Sequence, residues 1–142
     1  MSTEEKQNSP TYQDSNSIEY PQNEKEVSIF IKRFYKSNIP IELVGSGSKK
    51  KIGRPIQCAK TLSLSKLSGI IEYFPEELYI KVKAGTSIKE IEEILKKKNQ
   101  QLAFEPIDFG ILLGAKSDYG TAGGQVACNI AGPRRFKSGS VR

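Results

Sequence analysis

Apolar positions along this chain are scattered until Asn23 and become periodic after it. Val27, Phe30, Ile31 and Phe34 recur at helical spacing, and Asn23 with Glu26 makes a capping box at the start of that stripe. This predicts a helix over "NEKEVSIFIKRFYKSN", preceded by a polar, flexible leader at residues 1–23. The short apolar run "IELVG" (41–45) predicts a strand that runs directly into glycine. "TLSLSKL" (61–67) and "LYIKVKAG" (78–85) alternate as strands do, with Leu78, Ile80 and Val82 on one face of the second. Ser87 and Glu90 form another capping box, and Ile88, Ile91, Ile94 and Leu95 predict a helix reaching about Lys98. "QLAFEP" (101–106) predicts a short strand stopped by proline. In "TAGGQVACNIAGP", Thr121 caps a helix, Gly132 is its expected left-handed stop, and Pro133 prevents continuation. Strands alternating with helices imply βαβ units and at least partly parallel pairing.

Composition narrows the chemistry. With 142 residues, 37% of them hydrophobic, the chain can bury one ordinary core. No apolar run approaches the roughly 20 residues of a membrane helix, and the polar N-terminus has no secretory h-region, so a cytoplasmic location is expected. Cys58 and Cys128 lie far apart without metal-ligand spacing and are expected to be free thiols. Histidine is absent, which removes Ser–His and Cys–His nucleophile systems, His-type zinc sites and any histidyl link to a cofactor. The net charge is +6, and residues 1–24 hold five carboxylates against Lys6 alone, leaving +10 on the rest. A basic body suggests anionic partners. Nucleic acid is the weaker choice, because only Phe136 stands among the C-terminal cations as a stacking aromatic.

Two glycine-rich stretches carry candidate chemistry. In "VGSGSKKKIGR", a strand followed by Gly-Ser-Gly-Ser can aim successive backbone N–H groups into one concavity, a nest for phosphate oxygens. The spacing matches neither a Walker A loop nor GxGxxG. The second stretch lies among seven of the chain's twelve glycines, between Gly110 and Gly139. Gly123 and Gly124 occupy the first turn of the predicted helix, where each costs up to ~1 kcal/mol relative to alanine. Either a phosphate approaches that helix start, or the helix packs closely on a strand. From Tyr119 onward no acidic residue neutralises Arg134, Arg135 and Lys137.

The segments "ELVGSGSKKKIGRP", "LSGIIEYFPEELYIKVKAGTSIKEIEEIL", "QLAFEP" and "TAGGQVACNIAGPRRFKSGSVR" together resemble the flavin-binding domain of the vanillyl-alcohol oxidase / p-cresol methylhydroxylase (PCMH-type) family. Within it, they are most similar to the FAD-binding subunits of bacterial glycolate oxidases. The resemblance implies an α+β fold: the first βαβ-type subdomain of a PCMH-type FAD-binding domain plus the start of the second, spanning residues 24–142. It implies non-covalent FAD, with Gly45, Ser46, Gly47, Ser48 and Lys49 forming one pyrophosphate loop. Thr121, Gly123 and Gly124, with Asn129 nearby, would form the other, and Ser138 and Gly139 would border the flavin path. Ala84-Gly85-Thr86 matches a structural strand-to-helix turn. Ala122 replaces a larger aliphatic, and residues 109–119 match poorly. Family members continue past "GSVR" into the second subdomain, so a truncated domain without turnover of its own is expected. The implied partners are a larger flavin subunit and an iron–sulfur subunit, with no nucleic acid. The competing reading is a non-catalytic docking module that presents a basic face to a partner protein or anionic surface.

Overall fold

A computed structural model describes residues 17–114, 116, 117 and 119–141. Most of the stretch read as a leader, residues 1–16, lies outside the described residues. Its last part is a strand, β1 (Ser17–Glu19), so order begins earlier than the composition suggested. β1 and β2 (Ile41–Val44) both pair in parallel with β3 (Lys60–Ser63), giving the order β1-β3-β2. Register places Leu43 opposite Leu62 and Val44 opposite Ser63. As the central strand, β3 is covered on both faces, which explains why Thr61, Leu62 and Ser63 are all buried. Helix α1 (Glu24–Lys36) connects β1 to β2, and Asn23 caps it by accepting from the Glu26 amide at 2.9 Å. Of its predicted stripe only Phe34 is fully buried, while Ile31 is 42% exposed.

Beyond β3 the predicted strand 61–67 breaks at Leu64 into a 3-10 turn that ends at Lys66. An antiparallel hairpin follows, made of β4 (Ile70–Phe74) and β5 (Tyr79–Val82). β4 was not expected, because "GIIEYF" lacks a clean alternation. Leu78 does not share a face with Ile80 and Val82 as expected. It sits at the hairpin turn with φ 54° and its side chain 82% exposed. Helix α2 (Ile88–Lys96) starts as predicted, with Ser87 accepting from the Glu90 amide at 3.1 Å. Ile88, Ile91 and Leu95 pack on Tyr73, Ile80 and Val82 of the hairpin, with Leu102 and Tyr119 closing the cluster.

The described residues that remain form loop and three short helices: α3 (Phe109–Leu112), α4 (Ala122–Cys128) and α5 (Arg135–Ser138). "QLAFEP" is not a strand. One backbone bond, Glu105 N–H to Ala131 O, ties it to the chain beyond α4. Helix α4 stops four residues before the expected Gly132, because Asn129 adopts the left-handed conformation (φ 50°) and caps it. The mixed α/β class and the parallel pairing agree with expectation.

A glycine-lined cleft as the candidate functional site

The candidate site is built on the turn after β5. Thr86 is wholly buried, and its hydroxyl bonds both the amide and the carbonyl of Gly69, fixing Ala84-Gly85-Thr86 against the start of β4. A β-carbon on Gly85 would overlap the Leu64 carbonyl oxygen and lie 2.8 Å from that of Leu67, so only glycine fits. The carbonyls of this turn then receive the start of α4: Ala122 N–H donates to Thr86 O and Gly123 N–H to Ala84 O, both at 2.9 Å. Gly124 N–H turns back to Thr121 Oγ1, and Gln125 N–H to Thr121 O.

This changes the reason for the paired glycines. The amides of residues 122–125 already have partners inside the protein, so close packing explains Gly123, whose β-carbon would lie 2.9 Å from that of Ala84. The second glycine stretch is a seated wall, and its amides do not form a row of free donors.

The first stretch behaves differently. Gly47 turns with φ 79°, and Lys50 N–H closes the bend on Gly47 O at 3.0 Å. The amides of Ser46, Gly47, Ser48 and Lys49 donate to no described residue. Four amides on this bend are thus left available as donors, as an anion nest would require. Lys50 is drawn aside to Glu42, 2.7 Å away. Lys49 lies over the Phe109 ring, 5.1 Å from its centroid, and pairs with no carboxylate among the described residues.

The two stretches meet. Gly45 abuts Thr121 so closely that a β-carbon on it would overlap Thr121 Oγ1. A β-carbon on Gly120, which turns with φ 80°, would stand 2.9 Å from Ser48 Oγ and 3.2 Å from Lys49 Nζ, with Ser46 Oγ 3.9 Å away. Gly45–Lys49, Thr121 and Gly124 line one cleft of about 620 Å³, together with Arg54, Ile56, Cys58, Ala127 and Cys128. Both cysteines are free thiols, as expected.

Other predicted site residues stand apart. Gly123 is turned to Ala84, Asn129 is exposed at the far end of α4, and Ser138 and Gly139 are exposed at the end of α5. None of these four lines the cleft. Sequence reasoning missed Gly120, Glu42 and Phe109. Gly120 was visible as one more glycine beside Thr121, whereas the other two are brought in by tertiary contacts that no local pattern signals. Arg134 is also less free than its neighbourhood suggested: Glu105, 29 residues earlier, pairs with its Nε at 3.2 Å and accepts from its amide at 3.0 Å.

Free amides and a lysine ammonium beside glycines are groups that suit an anion. Fold and cleft thus define a mixed α/β domain whose two glycine stretches close on one anion-suited hollow. Residues 16–142 match the family model described as FAD binding domain, and the chain belongs to that family, of the PCMH type. FAD is the cofactor of this domain. The chain is 42% identical over 103 residues to the glycolate oxidase subunit GlcE of Escherichia coli (strain K12), covering 72% of this chain and 27% of that subunit. The chain therefore spans about a quarter of the curated relative's length. Two solved structures of alkyldihydroxyacetonephosphate synthase share the fold, with TM-scores of 0.63 and 0.67 at 19% and 20% identity. Each covers 87% of this chain and 22% of the synthase. No helix among the described residues is long and apolar enough to cross a membrane, and no group of three metal-ligating side chains occurs among them.

Proposed function

We propose that this chain is the FAD-holding part of a flavin-dependent oxidoreductase acting on a 2-hydroxy acid of the glycolate type. The observation that carries the reading is the convergence of Ser46, Ser48 and Lys49 on Gly120, beside four amides that donate to no described residue. FAD, when bound, supplies the two-electron acceptor, and the protein contributes binding, orientation and field. The 46–49 amides would donate to phosphate oxygens, Lys49 would offset their charge, and Gly45, Gly47 and Gly124 would present little bulk along the cleft. Thr121 holds the two walls together. The likeness to a glycolate oxidase subunit supports the substrate class and the participation of other subunits in passing electrons onward.

On this reading the chain's part is to bind FAD, and turnover of the hydroxy acid is not expected of it alone. Titrating the purified chain against FAD, with flavin fluorescence and the visible spectrum as readouts, tests this. Saturable quenching without glycolate-dependent bleaching is the expected result. Lack of any quenching would remove the FAD reading, and bleaching by glycolate would remove the claim of no turnover.

A further inference from the structure

Gln125 is wholly buried in the first half of α4, an unusual place for a primary amide. Its backbone N–H donates to Thr121 O at 2.9 Å, and its side-chain Nε2 donates to Tyr119 O at 2.5 Å. Between those two carbonyls lies Gly120, whose own carbonyl accepts from the Ile88 amide at 3.1 Å. Three consecutive carbonyls are thus pinned to the α2 and α4 starts, and of these three bonds only the one from Nε2 depends on a side chain. The Gln125 Oε1 atom has no partner among the described residues. A buried acceptor without a donor is a cost that an apolar side chain of similar size would avoid. Filling the core does not explain the amide, whereas holding the turn does.

We infer that Gln125 is a positioning residue that sets the 119–121 turn against the 45–49 bend, so that diphosphate affinity depends on a side chain that does not line the cleft. The inference rests on the FAD reading for its functional consequence, but not for its structural one. Movement of the turn carries Gly120 away from Ser48 and Lys49 and Thr121 away from Gly45, which separates the two glycine stretches that line the cleft. Gly120, at φ 80°, accommodates a changed backbone conformation once its flanking carbonyl is released.

The test uses the full chain and Gln125→Met, which keeps side-chain length and removes the donor. Ile91→Val, a mild core variant of α2, serves as the control for lost stability. Amide hydrogen exchange reports on the turn without cofactor: exchange at Ile88, whose N–H is held by Gly120 O, should speed up at least about tenfold in Gln125→Met, with Leu95 unchanged. The FAD dissociation constant should rise by about tenfold or more relative to Ile91→Val. Unchanged exchange at Ile88 overturns the positioning role, and so does a dissociation constant within about twofold of the control. Should the wild-type chain bind no FAD, the cofactor reading falls and the exchange result decides the role of Gln125 by itself. If Gln125→Met does not fold, Gln125→Leu, which also lacks the donor, is read by the same two measurements.

Discussion

Thr121 Oγ1 occupies the space that a side chain on Gly45 would need. The same oxygen accepts from the Gly124 amide at 3.3 Å, so one hydroxyl both caps α4 and abuts the end of β2. Seventy-six positions separate Gly45 from Thr121, yet their contact decides whether two glycine stretches make one hollow or two unrelated bends.

Gly45→Ala should therefore destabilise the chain by about 1–3 kcal/mol, the usual cost of forcing a methyl group into a packed site. Thr121→Ala should cost about 1 kcal/mol through the lost cap. In the double variant the obstruction is gone, so the combined loss should fall clearly below the sum of the two. Urea unfolding of the four proteins measures this cycle. A strictly additive result would mean that the two residues do not touch.

The lysines of "SKKK" should separate by function. Lys50 is committed to Glu42, whereas Lys49 lies over the Phe109 ring, a contact worth about 0.5–1 kcal/mol, and pairs with no carboxylate among the described residues. Lys49→Gln should weaken FAD binding by about tenfold, in line with losing one charge-assisted contact to phosphate. Lys50→Gln should change affinity by no more than about twofold but lower stability, because it leaves the largely buried Glu42 carboxylate without its cation, whereas Lys49→Gln should shift unfolding little. Fluorescence titration ranks them, and a larger loss for Lys50→Gln would reverse the assignment.

What was legible in the sequence depended on range. The Asn23 and Ser87 caps and the Gly-Ser-Gly-Ser bend are written in a few consecutive residues, and they appear as read. Strand β4 was missed because its sides are covered unequally: α2 packs on Tyr73, while Ile71 stays 47% exposed, which blurs the alternation. The reason for Gly123 was misplaced for a similar cause. A glycine at a helix start looks the same whether a phosphate or Ala84 approaches it, and only the Ala84-Gly85-Thr86 carbonyls, nearly forty residues away, decide between them. Glu105 neutralising Arg134 is again a long-range pairing without local signature.

Gly85 provides the sharpest stability prediction. Its neighbours are the backbone carbonyls of Leu64 and Leu67, which cannot swing aside as side chains do. Gly85→Ala should cost about 3 kcal/mol or more, at the upper end of overpacking losses, and should displace the turn that seats α4. Ser87→Ala, two residues on, removes only a helix cap and should cost about 1 kcal/mol with FAD affinity retained. Thermal unfolding with and without FAD compares them. Equal losses in the two variants would show that the turn yields easily.

Asn129 separates two explanations for one residue. It caps α4 at φ 50°, a conformation that costs an ordinary L-residue about 1–2 kcal/mol and glycine almost nothing. It also stands exposed at the opposite end of α4 from Thr121, about 10 Å along a seven-residue helix. A backbone role predicts that Asn129→Ala loses about 1 kcal/mol of stability while Asn129→Gly loses a few tenths or none. It also predicts that Asn129→Gly keeps its FAD dissociation constant within about twofold of wild type. A side chain that contacted the cofactor would instead weaken FAD binding equally in both variants, whatever their stability. Measuring unfolding and FAD titration on the same two proteins therefore tells a left-handed helix stop from a ligand, because glycine restores the first and not the second.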